Sequence, residues 1–243
     1  MQESSREQTG GAESLSPRAI RRQTMVDRQV RTFDVTDQRL LARMLEVPRE
    51  DFLPEGLEQL AYSDAELELK PAEPGAERRT LLPPLVLGRF IQAAAAGPED
   101  SVLDVAPGTG YSTAILAGLA GRVVALESDH SLYKALRSNL DAFGLANVRT
   151  LLGPLAKGAP VEAPFDLIFI NGAAEANLDA LFAQLKEGGR LVCFKRLVGN
   201  GAGHASKAVR YEKIKGAVSY RVLFDAPAPV LDAFRRAEEF AFL

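Results

Sequence analysis

Cysteine is almost missing from this chain. Cys193 is the single one in 243 residues, so no intrachain disulfide can form. Histidine is nearly as scarce. The two present, His130 and His204, lie far apart with no cysteine cluster beside them, so no zinc or other metal site is suggested. There is no excess of positive charge either. With 29 Lys and Arg against 32 Asp and Glu, the net charge is -3, which argues against general nucleic-acid binding, a process driven by phosphate neutralisation. Residues Met1 to Ser16 are polar and lack an apolar centre. They read as a disordered tail, neither a signal peptide nor a membrane anchor, and the cytoplasm is the default location.

What is present is ordinary for a soluble globular protein, with 47% hydrophobic and 25% charged residues and a length sufficient for one large α/β domain. From Pro17 to about Pro54 the pattern is helical. Pro17 suits a first turn, and Ile20, Val26 and Val30 recur at roughly helical spacing. Thr36 then caps a helix whose apolar face is Leu40, Leu41, Met44 and Leu45, stopped before Pro48. Arg18, Arg21, Arg22, Arg28 and Arg31 read as a solvated face, with a binding role as the alternative. Residues 61–80 are irregular, with one short strand at most, and Pro84 to Ala96 is helical, closed by Gly97-Pro98.

From Ser101 strands and helices alternate. Strands are expected at 102–105, 123–126, 148–152, 166–170 and 190–194, with helices at 112–119, 132–143 and 178–186 between them. This alternation predicts a doubly wound, Rossmann-like α/β fold with a mostly parallel seven-stranded sheet. Residues 207–214 and 219–224 form its antiparallel C-terminal edge, turning at Gly216, and an N-terminal helical extension precedes it. Cys193 falls within the apolar run 191–194 and reads as a small core residue. The expected organisation is a tail at 1–16, a helical and substrate-side segment at 17–96, and a nucleoside-binding domain at 97–243.

The most informative stretch is Asp104-Val105-Ala106-Pro107-Gly108-Thr109-Gly110-Tyr111, which leaves a strand and enters a helix. In a doubly wound sheet, ligands bind beyond the carboxyl ends of the strands. Gly108 and Gly110 let backbone approach such a ligand closely. Tyr111 occupies a position where a dinucleotide fingerprint would require a small residue. Glu127 ends the second strand, where a carboxylate can accept both hydroxyls of a ribose. A strand-end acid beside a turn glycine pair in a ligand-free protein is the alternative.

The loop and this acid are similar to the first motifs of S-adenosylmethionine methyltransferases. Over about residues 26–224 the chain resembles the protein-L-isoaspartate O-methyltransferase family. The resemblance rests on 47–54 (Val-Pro-Arg-Glu-Asp-Phe-Leu-Pro), 61–64 (Ala-Tyr-Ser-Asp), 102–111, 163–168 (Ala-Pro-Phe-Asp-Leu-Ile) and 184–192 (Gln-Leu-Lys-Glu-Gly-Gly-Arg-Leu-Val), in the family's order and spacing. It implies methyl transfer from S-adenosylmethionine, leaving S-adenosylhomocysteine, to the free carboxylate of an isoaspartyl residue in a protein or peptide, without a metal. A carboxylate is already ionised at neutral pH, so no general base is needed. By the same resemblance the cofactor is held by Asp104, Ala106, Pro107, Gly108, Thr109, Gly110, Tyr111, Glu127, Ser128, Gly153, Pro154 and Asn171. Thr80, Leu82 and Asn171 face the reacting groups, and Tyr62, Asp64, Arg78 and Arg79 lie on the substrate side.

Three positions depart from the family pattern. Thr80-Leu81-Leu82-Pro83-Pro84 stands in place of Thr-Ile-Ser-x-Pro, so an alkyl group replaces the active-centre serine. Gly153-Pro154-Leu155 stands in place of Gly-Asp-Gly, and Ala106 in place of the loop's first glycine. Arg78 and Arg79 could bind a substrate carboxylate, or could be exposed loop arginines. Tyr62 and Asp64 could instead shape a turn, Asn171 could cap a strand, and His130 is either near the adenosine rim or an ordinary surface residue. The leading expectation is an O-methyltransferase. The alternatives are a non-catalytic scaffold or sensor with this fold, favoured by Leu82 and Pro154, and a methyltransferase for a small or lipid-like acceptor, which would suit Leu81-Leu82.

Overall fold

The computed structural model describes residues 15–71, 77–196 and 206–237. The expected tail lies outside these residues up to position 14. Ser16 already serves the first helix, accepting from the Ala19 backbone N–H ahead of Pro17. Helix α1 (Pro17–Met25) continues into a π-helical turn (Val26–Val30), and helix α2 (Gln38–Glu46) follows. The cap of α2 is Asp37, not Thr36: the Asp37 carboxylate accepts from the Arg39 and Leu40 amides at 2.9 and 3.2 Å. Leu40, Leu41 and Met44 are buried, as their spacing requires, whereas Ile20 stays 52% exposed and does not join the core.

Two short strands, β1 (Leu67–Glu68) and β2 (Thr80–Leu81), form an antiparallel pair in the region expected to hold one strand at most. Helix α3 (Pro84–Ala94) stops two residues before its expected end because Ala95 turns left-handed at φ 52°. The reason is tertiary. Its last carbonyls, on Ala94 and Ala95, accept from the Arg190 guanidinium, and the Ala93 carbonyl accepts from Arg210.

The remaining elements are β3 (Ser101–Val105), α4 (Tyr111–Ala117), β4 (Arg122–Glu127), α5 (His130–Phe143), β5 (Val148–Leu152), β6 (Phe165–Ala174), α6 (Asp179–Ala183), β7 (Leu185–Arg196), β8 (Ser206–Ile214) and β9 (Ala217–Asp225). The large sheet runs β5-β4-β3-β6-β7-β8-β9. The first five of these strands are parallel, and β8 and β9 are antiparallel. Lys215 and Gly216, both at positive φ, make the tight turn between the last two strands. Gly144 closes α5 in the left-handed region, as expected of a glycine in that place.

Two elements differ from their sequence expectation. The helix expected over 178–186 is only one turn and a half. The Gln184 carbonyl accepts from the Phe165 amide and its side chain bonds the turn at 157–159, which draws Leu185 into the sheet beside Phe165. Strand β6 also continues past Ile170 to Ala174, with a register shift between Phe169 and Ala173 and a bridge from Ala173 to Val230.

The parallel strands are apolar on both faces because both are covered. Val102, Val123, Leu167, Phe169 and Val192 face a large cluster with the N-terminal helices and α3, α4 and α5. Leu103, Val105, Val124, Leu126, Ile168 and Ile170 face a second cluster with Leu155, Leu181 and Phe234. Cys193 lies in this second cluster, and burial pushes its thiol up to about 12. Phe90 ties α3 to the sheet, with its ring 4.6 Å from that of Phe169 and 4.5 Å from that of Phe194. Phe90→Ala should therefore destabilise the fold by about 3–5 kcal/mol, read as a lower urea midpoint with an unchanged slope.

Candidate active site

The sheet changes direction at β3, which pairs with β4 on one side and β6 on the other. A crevice beyond the carboxyl ends of these strands is where doubly wound proteins bind ligands. Asp104 near the end of β3, Asn171 on β6, Glu127 ending β4 and the loop 106–110 all meet there.

The loop is held in an unusual backbone conformation. Ala106, Gly108 and Gly110 have φ of 58°, 62° and 103°, so the alanine carries a strain that its glycine neighbours avoid. A Cβ on Gly110 would come within 2.8 Å of Leu136 on α5, so this glycine also serves helix packing. Thr109 is turned away from the crevice. Its hydroxyl donates to the Phe52 carbonyl, and its own carbonyl accepts from the Asn139 side chain at 2.9 Å. Tyr111 is fully buried, edge-on to Phe52 and beneath the Arg49 guanidinium.

Asp104 is fully buried. One oxygen accepts from the Ser112 and Thr113 hydroxyls at 2.9 and 2.7 Å, the other from the Asn171 amide at 2.6 Å. Asn171 donates further to the Val105 carbonyl, so it joins β6 to the end of β3. Burial raises the Asp104 pKa to about 7 against the pull of its three hydrogen bonds, and the nearby Glu127 charge adds to the rise. Nothing in the sequence alone marks Ser112 and Thr113 as partners of Asp104. Their positions on the first turn of α4 point them back at β3, a relation that only the strand–loop–helix geometry creates.

Glu127 is more crowded still. One oxygen accepts from the Ser128 and Asp129 amides at 2.7 and 3.0 Å, the other from the Gly108 amide at 3.0 Å. Arg79 then binds both oxygens, at 2.8 and 2.5 Å. Arg79 is 2% exposed and Glu127 is fully buried. This corrects the expectation of an Arg79 lying in an exposed loop or held ready for a substrate carboxylate. Asp129, which caps α5, accepts from Lys70 at 2.8 Å. Partial burial raises its pKa, but the Lys70 ammonium, the Ser131 hydroxyl and the Leu132 amide together hold it below the usual range.

The other expected site residues are more scattered. The exposed Arg78 grips the half-buried Glu68 carboxylate. Tyr62 is buried, its hydroxyl donating to the Glu50 carboxylate, while Asp64 is exposed. Leu82 lies in the main apolar cluster and its carbonyl accepts from Arg49 at 2.6 Å. The Thr80 hydroxyl is buried with no hydrogen-bond partner among the described residues. The Gly153 amide donates to the Glu127 carbonyl, Pro154 is exposed, and His130 is exposed at the start of α5. Among the described residues no cluster of three His, Cys, Asp or Glu could hold a metal, and no helix is long and apolar enough to cross a membrane.

The raised Asp104 pKa has a consequence for stability. The folded state holds this proton more tightly than the unfolded chain does. The stabilisation is complete below the ordinary value of 3.8 and is lost as pH rises through about 7. Urea unfolding of wild type and Asp104→Asn across pH 4 to 8 should show a stability difference that changes through this window and flattens above it. A constant difference would mean that Asp104 titrates normally.

The profile of the Protein-L-isoaspartate(D-aspartate) O-methyltransferase family matches residues 20–224. A protein-L-isoaspartate O-methyltransferase of Koribacter versatilis is 35% identical over 72% of this chain and 76% of its own length. One from Rhodopseudomonas palustris is 36% identical over 69% and 74%. A solved protein-L-isoaspartate O-methyltransferase superimposes with a TM-score of 0.76 at 23% identity, covering 86% of this chain and 65% of that one. A Plasmodium falciparum structure of the same description, in complex with S-adenosyl-L-homocysteine, gives 0.66 at 20% identity, covering 87% and 98%. The two structures support the fold. The profile and the sequence relatives support more: the chain belongs to the protein-L-isoaspartate(D-aspartate) O-methyltransferase family, S-adenosylmethionine-dependent enzymes that methylate protein carboxylates.

Proposed function

We propose that the acceptor is the free carboxylate of an isoaspartyl residue in a protein or peptide, and that the crevice around loop 106–110 is the site of transfer. The observation that carries the site is the pair of buried carboxylates on adjacent strands beside the glycine loop, Asp104 near the end of β3 and Glu127 at the end of β4, and the acceptor follows from the family. In this reading residues 97–243 hold the methyl donor, with Glu127 toward the ribose and Gly108, Asp104 and Asn171 toward its amino-acid end. Residues 17–96 supply the acceptor side, where Thr80 and Leu82 stand near the reacting groups. An isoaspartyl carboxylate needs no base to become nucleophilic, so positioning is the main task of these residues.

The described arrangement does not accommodate the cofactor as it stands. Both Glu127 oxygens are occupied by Arg79 and main-chain amides, and the side chain of Leu69 lies 2.3 Å from where a Cβ on Gly108 would be. The apolar, buried Leu82 favours a second reading, a family member that turns over poorly or not at all on isoaspartyl peptides.

An assay with radiolabelled S-adenosylmethionine decides between them. An isoaspartyl peptide should be esterified and its aspartyl isomer should not. Leu82→Ser should raise the rate about tenfold or more, a change of roughly 1.4 kcal/mol in barrier, if the missing hydroxyl limits the chemistry. Absence of ester with both proteins, each folded and binding S-adenosylhomocysteine, would reject the isoaspartyl acceptor.

A further inference from the structure

The same crowding at Glu127 points to a device that the family assignment does not contain. We propose that the chain around β1 and β2, residues 67–71 and 77–81, is a strap that closes the nucleoside crevice from within. Arg79 stands in for the cofactor's ribose on Glu127, and the cofactor enters only when the strap lifts. The inference rests on the reading of this crevice as the S-adenosylmethionine site.

Three observations converge on it. A carboxylate offers about four acceptor positions. Glu127 has five N–H contacts, and the two from Arg79 leave no position for a ribose diol. Second, Leu69 covers the face of Gly108 that a glycine leaves open for a ligand. Third, both arms of the strap are fastened at the crevice mouth. Lys70 pairs with Asp129 at 2.8 Å, two residues after β4 ends at Glu127. Glu77 accepts from the Asp232 amide at 2.6 Å and lies 3.4 Å from Arg79.

The strap's own structure is slight. Its two strands pair through Leu67–Leu81 and Glu68–Thr80, with one further bond from the Leu69 amide to the Arg79 carbonyl at 2.8 Å. A two-stranded ribbon of this size has little stability of its own. Arg79 and Leu69 anchor it in the crevice, and Leu67 and Leu81 are buried as well. Glu127, buried, needs a partner, and either the guanidinium or a pair of sugar hydroxyls can supply hydrogen bonds. The apparent affinity for the cofactor is then its intrinsic affinity reduced by the fraction of molecules with the strap open.

This arrangement makes Arg79 a competitor of the cofactor, the reverse of a binding residue. Titration calorimetry with S-adenosylhomocysteine on wild type and Arg79→Gln tests it, with circular dichroism to show that both are folded. Arg79→Gln should bind at least tenfold more tightly. Equal or weaker binding by the variant would overturn the strap and leave the methyltransferase reading standing. Failure of both folded proteins to bind would overturn the strap and the site assignment together. Should Arg79→Gln not fold, amide exchange on wild type gives the answer. Saturating S-adenosylhomocysteine should speed exchange at Leu69 as the strap lifts, whereas slower exchange would describe a lid that closes over its ligand and would refute the proposal.

Discussion

A carboxylate without access to water must be surrounded by donors, and Glu127 organises its neighbourhood to meet this requirement. Main-chain amides reach it from the glycine loop and from the turn into α5, and a guanidinium reaches it from a segment 48 residues earlier in the chain. The glycine loop, the turn into α5 and the β1–β2 pair all meet at this one side chain. Removing one member of such a buried pair costs several kcal/mol because the other keeps a buried charge without its counter-charge, on the order of 3–5. Glu127 is thus a structural centre as well as a ligand candidate, and the two roles compete for the same lone pairs.

Asp104 sets a contrast on the neighbouring strand β3. Neutral donors, the hydroxyls of Ser112 and Thr113 and the amide of Asn171, surround it, with no cation among its hydrogen-bond partners. Burial therefore dominates and the carboxyl is pushed toward neutrality near physiological pH, while the neighbouring Glu127 has a full ion pair. Two acids at adjacent strand ends are given different electrostatic surroundings by their partners. The crevice they flank has one side braced by hydrogen bonds across β3 and β6 and the other closed by an ion pair that can be exchanged.

Much of this architecture was legible in the residue pattern. Apolar runs such as Val102–Val105 and Val123–Leu126, bounded by turn glycines, announce parallel strands buried on both faces, and they lie where expected. The acid–loop–acid constellation was likewise visible, because its members are close in sequence or end recognisable strands. Less was legible where a distant group acts on an element's end. Arg190 and Arg210 from β7 and β8 hold the carbonyls that finish α3, and Gln184 leaves its helix early to serve a turn near Ala159. No local propensity encodes these partners.

Local chemistry alone thus determined the class of fold, the place of the glycine loop and the identity of the two strand-end acids, since periodicity and turn residues act over a few positions. Tertiary structure decided what those acids touch. Whether Arg79 would meet solvent, a substrate or Glu127 depends on how residues 67–71 and 77–81 lie across the sheet's carboxyl edge, and that is settled by the burial of Leu69 and the pairing of unlike charges brought together only on folding.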